Sequence, residues 1–282
     1  ARRVLASAGV LIALAASLAA QGTVVPGTRL PHTADGQPDI QGVWANRDTG
    51  VFTTALESRT YLAALGMPGI GVGTTSHIGL PPRPTPSKDH YVVDPTDGIL
   101  PYQPWALARR NAVMKDFPRP DLWQIDSQTR GWPSGVPREN HYSSIDGSYG
   151  GPIQIMQPLG YVVFLYETHH EFRIIPLDGR PHPGQDIKLW EGASRGHWEG
   201  KTLVVEVKNN NDSPRMTVIG DFHSDEMTAV ERWTRTDRDT LDYKVTITDP
   251  KVFTRPFTMQ TTYKPGVKGI EIMEYAGVEG DK

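Results

Sequence analysis

The feature that most constrains the fold is a series of short segments with strand periodicity, which begins at Pro152 and continues almost to the C-terminus. Alternation of apolar and polar side chains is typical of strands with one buried face. Turn signals such as Glu199-Gly200-Lys201 and Asp249-Pro250 separate these segments. The predicted strands are 153–157, 160–166, 168–175, 187–190, 195–198, 202–207, 227–235, 241–248, 252–262 and 270–275.

Connections this short place consecutive strands side by side and antiparallel, because a parallel pair needs a crossover of a dozen or more residues. No segment between the predicted strands has the length and period of a crossover helix. The pattern therefore predicts a mainly β fold, which could be an up-and-down barrel, a sandwich or an open sheet. We favour the antiparallel up-and-down barrel of lipocalin or calycin type, which Gly42-Val43-Trp44 would open.

The N-terminal part of the chain is irregular and partly helical. A capping box at Thr54-Ala55-Leu56-Glu57 predicts a short helix, and Gln103-Pro104-Trp105 predicts the start of a second one. Segments rich in glycine and proline separate these helices. The predicted organisation is a signal peptide at 1–20, an extended leader at 21–41 and a single barrel domain at 42–281, with a helical and loop insertion at about 50–151.

The first twenty residues have the pattern of an export signal. Arg2 and Arg3 precede an uncharged apolar run over 4–20, and Ser17-Leu18-Ala19 has small residues where a signal peptidase cleaves. The run is short and rich in alanine for a membrane span, which needs about 20 strongly apolar residues. We therefore expect a periplasmic or secreted protein with no stable membrane span after processing.

Composition excludes several classes of function. The chain has no cysteine, which excludes thiol catalysis, thiolate zinc sites and iron–sulfur clusters. Its net charge is −3 without a basic block, so we expect no nucleic-acid partner. Serine-hydrolase, P-loop and dinucleotide motifs are missing from the sequence, and no cofactor is predicted. Asp221-x-His223-x-Asp225 is too weak a pattern to predict a metal site.

Strand parity identifies one pair of candidate catalytic residues. Glu231 falls on the same face as Trp233, and Arg255 falls on the same face as Phe257. With tight turns between the strands, Glu231 lies opposite Val245, which lies opposite Arg255. We therefore expect the two charges to meet inside the barrel, either as a structural ion pair or as a ligand-facing acid/base pair.

The segment 160–174 supplies further candidates. Its predicted inward set includes Tyr166 and His170, which leaves Glu167, His169 and Glu171 outward unless a bulge intervenes. His170 is a second catalytic candidate, although a core histidine is more often structural. The predicted ligand-binding aromatic residues, which could equally be core filler, are Tyr166, Trp198, Trp233 and Tyr243.

These observations leave two classes of function open. One is a cofactor-free acid/base enzyme, an isomerase, lyase or hydrolase, that acts on a small hydrophobic or aromatic molecule. The other is a protein that binds without catalysis, either a small-molecule carrier or a carbohydrate-binding module. The partner expected in each case is a small-molecule ligand, and the oligomeric state does not follow from the sequence.

Four groups of motifs carry a resemblance to a known family. They are Leu177-Asp178-Gly179-Arg180-Pro181-His182, then Ser194-Arg195-Gly196-His197-Trp198-Glu199-Gly200-Lys201-Thr202-Leu203-Val204-Val205-Glu206, then His223-Ser224-Asp225 with Val230-Glu231-Arg232-Trp233-Thr234-Arg235, and Thr246-Ile247-Thr248-Asp249-Pro250 with Thr254-Arg255-Pro256-Phe257-Thr258. In combination they are similar to a large family of exported, mostly uncharacterised soil-bacterial proteins. The resemblance covers roughly 38–281 and implies export and one β-rich domain, but no particular reaction.

The sequence departs from that family pattern at three positions. Gly131 and Gly277 stand where cysteines are usual, and Thr228 stands where a histidine is usual. The resemblance implies that a disulfide was lost as a unit, so residues 131 and 277 are expected to lie close together. The change at 228 removes any histidine-based chemistry there.

Overall fold

The computed structural model describes residues 30–46, 56–65, 90–116, 121, 124–127, 130–142, 152–169, 171–266 and 271–273. The predicted signal peptide, His170 and Gly277 lie outside these residues, so the expectations about them stay predictions. In the described part of the chain, no helix is long and apolar enough to cross a membrane.

Ten strands form one antiparallel sheet within the described residues. They are β1 (Gly42–Asn46), β2 (Val92–Asp94), β3 (Ile153–Met156), β4 (Tyr161–Tyr166), β5 (Phe172–Pro176), β6 (Ala193–Glu199), β7 (Thr202–Lys208), β8 (Thr228–Asp237), β9 (Thr240–Thr248) and β10 (Phe257–Pro265). The helices are α1 (Arg59–Ala64), α2 (Pro104–Asp116) and α3 (Arg138–Tyr142).

The sheet is an up-and-down barrel that is nearly closed, as predicted. Its hydrogen-bonded order is β5-β4-β3-β1-β10-β9-β8-β7-β6, with β2 paired to β10 off this path. The path has an odd number of antiparallel strands, so its end strands β5 and β6 run in the same direction. Side chains fill the seam between them, because a Cβ on Gly196 would lie 2.8 Å from side-chain atoms of both Ile175 and Leu177.

The turn between β9 and β10 differs from the prediction of a tight hairpin at Asp249-Pro250. The Asp249 side chain accepts hydrogen bonds from the backbone amides of Ser224, Lys251 and Val252. These bonds stabilise a wider turn, and β10 begins only at Phe257. The predicted register is therefore correct at Glu231 opposite Val245 but wrong beyond it, because Met259 replaces Arg255 opposite Val245.

The predicted parity of 160–174 is wrong after Tyr166, because a tight turn interrupts the strand there. His169 has a φ of 53°, and the Tyr166 amide donates to the Glu171 carbonyl at 2.9 Å. The turn reverses which residues face the core. Phe172 is consequently 60% exposed, and Arg173 is only 3% exposed.

The remaining predicted strands and helices agree with the described elements only in part. Residues 187–190 make one isolated bridge, Leu189 to Asn210, in place of a strand. Helix α2 begins at Pro104 as predicted, whereas α1 begins after Ser58 and not at the capping box. Helix α3 lies in a segment predicted to be a loop, and the residues described at 271–273 are not in a strand.

Aromatic side chains fill the middle of the barrel. The Trp233 ring centroid lies 4.3 Å from that of Tyr243, 4.9 Å from that of Phe164 and 5.3 Å from that of Tyr263. All four side chains are buried. Burial of such large apolar surfaces stabilises the fold, since each aromatic residue removes about 150–250 Å² from water.

Candidate functional site

The structure brings four of the predicted site residues together inside the barrel. They are Glu231, Tyr166, Trp233 and Tyr243, all of which are buried. Trp198 is half-buried and packs against the edge of the same core.

Arg255 does not join this group, so the expected contact between Glu231 and Arg255 is wrong. The Arg255 side chain is exposed in the turn before β10, where its guanidinium lies 3.1 Å from Asp94. The parity argument failed because it extended β10 through Pro256, where no backbone amide is available for a sheet hydrogen bond.

The partner of Glu231 is Arg173, on the far side of the barrel seam. The Arg173 Nη2 donates to Glu231 Oε2 at 2.5 Å, and its Nη1 donates to Oε1 at 3.2 Å. Nη2 also donates to Ser194 Oγ on β6 at 2.9 Å. Arg173 therefore links β5 to β6 and β8, where the backbone ladder is interrupted.

Two further groups donate to Glu231 and complete a buried polar network. Tyr243 donates its hydroxyl to Oε1 at 3.0 Å, and the Asn140 amide donates to the same oxygen. Tyr166 in turn donates to Asn140 Oδ1 at 2.7 Å. Burial, as the largest cause, raises the pKa of both tyrosines well above the ordinary value, so both hydroxyls keep their protons as donors.

This saturated network favours the structural interpretation of Glu231. Four donor groups from three side chains converge on one carboxylate that is fully buried. A buried ion pair is tolerated only when its hydrogen-bonding capacity is satisfied in this way. The network orders the barrel interior and leaves Glu231 little capacity to bind a further ligand.

A second group of titratable side chains lies next to this network. We call Glu139, His169, Glu171 and Glu191 the carboxyl cluster. One ligand atom from each of Glu139, His169 and Glu171 lies within 4.8 Å of the others. Glu191 is near enough for its charge to raise the pKa of both other glutamates.

Hydrogen bonding in the carboxyl cluster is incomplete, unlike that of Glu231. Ser134 N donates to Glu171 Oε1 at 3.1 Å, and Gly135 N donates to Glu191 Oε1 at 3.0 Å. Both oxygens of Glu139, and Oε2 of Glu171 and of Glu191, are buried without a well-formed hydrogen bond among the described residues, and their weaker contacts are with Ser134 and with the neighbouring carboxyls. Such groups are costly to bury and are uncommon in folded proteins.

Burial and mutual repulsion keep protons on Glu139 and Glu171. Burial first, and then the Glu191 charge, raise the pKa of Glu139 to about 8. The pKa of Glu171 is also raised far above its ordinary value, by burial and then by the charges of Glu139 and Glu191. These carboxyls share space that cannot hold several negative charges at once.

Helix α3 and the residues at the start of β5 each contribute side chains to both the Glu231 network and the carboxyl cluster. On α3, Glu139 points to the carboxyl cluster and the next residue, Asn140, donates to Glu231. Glu171 and Arg173 are two residues apart and face the same side of the chain, as strand geometry requires. The saturated network therefore supports the elements that position the incompletely bonded cluster.

Sequence reasoning missed Arg173, Asn140 and the carboxyl cluster. Phe172 and Ile174 suggested an apolar inward face for β5. The side chains that face inward are instead Arg173 and Ile175. Asn140 and Glu139 lie on a five-residue helix, too short for a periodic pattern. The polar run at 167–171 between two strands was the available indication of a turn.

The weak Asp221-x-His223-x-Asp225 pattern does not converge on one point. Asp221 is buried and accepts from Tyr102 at 2.8 Å and Thr217 at 2.7 Å. Asp225 lies on the surface, 3.0 Å from Lys251 Nζ. The side chains are therefore held by separate structural contacts.

Comparisons with protein-family models, curated proteins and solved structures returned no match. The function of the chain must therefore be inferred from the geometry of these residues.

Proposed function

We propose that this protein is an exported barrel enzyme that acts on a small molecule by acid/base chemistry, with the carboxyl cluster as its reactive group. The observation that carries the proposal is the state of Glu139. Both of its carboxyl oxygens are buried beside two other carboxyl groups and lack a well-formed hydrogen bond among the described residues, with weaker contacts to Ser134 and Glu171 in its place.

Incomplete hydrogen bonding separates a reactive carboxyl from a structural one. Glu231 receives all the donors it can use, so removing them for a substrate would cost several hydrogen bonds. Glu139 has weaker contacts, with Ser134 and Glu171, and would gain better donors from a bound molecule. The catalytic role expected for Glu231 therefore moves, in our proposal, to the carboxyl cluster.

The different environments of the glutamates suit them to different roles. Glu139 keeps a proton near neutral pH, because burial raises its pKa to about 8, and could donate it as a general acid. Glu191 has one oxygen fixed by Gly135 N, while its other oxygen faces the same cluster, so Glu191 could receive a proton there. Neighbouring carboxyls in different environments are a common basis for acid/base catalysis.

Two tryptophans beside the cluster support a substrate with an apolar ring. Trp132 and Trp190 have centroids 5.4 Å apart, with an interplanar angle of 57°. Trp190 directly precedes Glu191, and Trp132 lies two residues before Ser134, whose amide binds Glu171. Arg130 covers one face of Trp132, but that residue remains 38% exposed.

The same tryptophan pair supports the second candidate function, a carbohydrate-binding module or carrier without catalysis. Aromatic faces near the surface bind rings through their apolar surface and need no proton transfer. The two candidates differ in whether the bound molecule is chemically changed, which makes turnover the deciding observation.

The proposal can be tested by incubating the protein with pools of small ring compounds and following their disappearance by mass spectrometry. We expect a compound that wild type consumes and that Glu139→Gln binds but leaves unchanged. The matched control is Glu167→Gln, because Glu167 is a buried carboxyl in the same turn that instead accepts from Met273 N. Equal consumption by wild type and Glu139→Gln would refute the proposal, and binding without consumption by either would favour the carrier.

A further inference from the structure

We infer that Glu139, His169 and Glu171 form a binding site for one divalent transition-metal ion. This inference depends on the proposed function only for the importance of the carboxyl cluster, and it names the cofactor of that site. The ion would displace the protons of Glu139 and Glu171, so the general-acid role of Glu139 belongs to the metal-free protein. The three residues come from α3 and from the turn between β4 and β5.

The spacing of the donor atoms suits a single ion. Zinc binds histidine nitrogen and carboxylate oxygen at about 2.0–2.2 Å, so donor atoms in a tetrahedral site lie about 3.5 Å apart. The three donor atoms here lie within 4.8 Å of one another. Side-chain movements of up to about 1 Å would complete the coordination.

The poorly hydrogen-bonded oxygens provide an independent indication of a cation. Glu139 is 2% exposed and Glu171 is 7% exposed, yet three of their four carboxyl oxygens lack a well-formed hydrogen bond among the described residues and instead contact Ser134 or neighbouring carboxyls. A buried carboxylate normally has donors or a cation nearby, because its desolvation is costly. One dication would satisfy these oxygens together and offset the repulsion between the carboxylates.

Neighbouring charges compensate the cluster only in part, with Arg138 acting on Glu139 as the smallest of its named influences. Arg138 lies next to Glu139 in the chain, but its guanidinium donates to both oxygens of Asp126, including Nη2 to Oδ2 at 2.8 Å. Arg173 is engaged by Glu231 and Ser194. The positive charges closest along α3 and β5 are therefore committed to other carboxylate partners.

Hydrogen bonds from backbone amides hold the proposed ligand Glu171 and its neighbour Glu191 in place. Ser134 N binds Glu171 Oε1, and this leaves Oε2 as the ligand atom. Gly135 N fixes Glu191 in the same way. Hydrogen bonds behind a metal ligand typically orient it and strengthen binding.

The donor set indicates the class of metal. One imidazole nitrogen with two carboxylate oxygens suits Zn²⁺, Mn²⁺ or Fe²⁺, whereas Ca²⁺ takes oxygen ligands only. Three protein ligands leave a position for water, as in catalytic metal sites. The ion would supply Lewis-acid activation of a water or a substrate, and Glu191 in the same cluster could accept a proton from it.

The test uses metal-stripped full-length protein titrated with Zn²⁺, Mn²⁺ or Ca²⁺ in a calorimeter. We expect one Zn²⁺ per chain, weaker Mn²⁺ binding in line with the usual order of affinities, and the weakest binding for Ca²⁺. We expect Zn²⁺ binding to weaken by roughly 100-fold in each of Glu139→Gln, Glu171→Gln and His169→Asn. Loss of a ligand should cost at least as much as the largest effects of changing residues that only hydrogen-bond to a ligand. Glu167→Gln should bind as wild type, and circular dichroism verifies that each variant is folded.

The possible outcomes separate this inference from the proposed function. Saturable Zn²⁺ binding that is unchanged in folded Glu139→Gln and Glu171→Gln would overturn the metal site, as would no saturable binding by wild type at millimolar Zn²⁺. If wild type binds no metal but still consumes a compound that Glu139→Gln does not, the inference fails and the proposed function stands. If Zn²⁺ binds as expected and no compound is consumed, the metal site stands without the proposed reaction.

Discussion

Replacing Arg173 with methionine should destabilise the barrel by leaving Glu231 buried without its cation. Glu231 is 0% exposed, and Arg173 supplies two of the hydrogen bonds that reach it. Removal of one partner from a buried ion pair costs about 3–5 kcal/mol. Because Asn140 and Tyr243 would still donate to Glu231, we expect a loss near the lower end, about 3 kcal/mol.

The loss should depend on pH in a defined direction. Without Arg173, Glu231 is a buried negative charge with no cation beside it, and such a charge is costly to bury. Proton uptake at low pH removes the charge and with it this cost. The difference between wild type and Arg173→Met should therefore be smaller at pH 5 than at pH 8.

Urea denaturation at pH 5 and pH 8 measures this free energy directly. The double variant Arg173→Met with Glu231→Gln should recover part of the loss, since no unpaired charge remains. The matched control is Arg232→Met, which removes an exposed Arg–Glu pair of 2.6 Å to Glu199 and should change stability by less than about 1 kcal/mol. If Arg173→Met were no more destabilising than Arg232→Met at pH 8, our account of the interior network would be refuted.

Three further predictions follow from other described contacts. Burial, the largest cause, raises the pKa of Glu57 from 4.5 to about 7. The free energy of unfolding of wild type relative to Glu57→Gln should therefore fall as the pH rises through 7 in urea titrations, and a constant or rising value would contradict this. Gly196→Val should destabilise by about 1–3 kcal/mol through overpacking of the β5–β6 seam, and an unchanged urea midpoint would show that the seam is open. Asn140→Leu should lower the free energy of unfolding by about 1–3 kcal/mol, because Tyr166 loses its acceptor and Glu231 loses a donor. In a double-mutant cycle the cost should be smaller in a Tyr166→Phe background, where only the bond to Glu231 remains to be lost, and an equal cost in both backgrounds would contradict the coupling.

Much of the barrel followed from the sequence because its strands are local and consecutive. In β8 and β9, alternation identified Glu231, Trp233 and Tyr243 as inward-facing, and the short turn between the strands set Glu231 opposite Val245. Strand periodicity and turn length are properties of a few neighbouring residues, so the sequence alone contains them. The runs β3-β4-β5 and β6-β7-β8-β9-β10 follow from the same short connections, whereas the place of β1 between β3 and β10 does not.

The partner of Glu231 was decided by tertiary structure. Arg173 and Glu231 meet across the seam between β5 and β6, at a sequence separation of 58 residues, and no local pattern encodes that distance. The turn at 167–171 reversed the parity of β5, and Asp249 widened the turn before β10, which moved Arg255 to the surface. Both changes depend on hydrogen bonds in loops, where periodicity carries no information.

The carboxyl cluster illustrates the same limit. Glu139, His169 and Glu171 lie on a short helix and a turn that meet only when the barrel has formed. The sequence by itself determined which residues form the walls of the barrel, because burial selects apolar side chains at a regular spacing along each strand. Which polar groups lie together at its end was decided by the packing of irregular segments, since the side chains that converge there share no spacing in the chain.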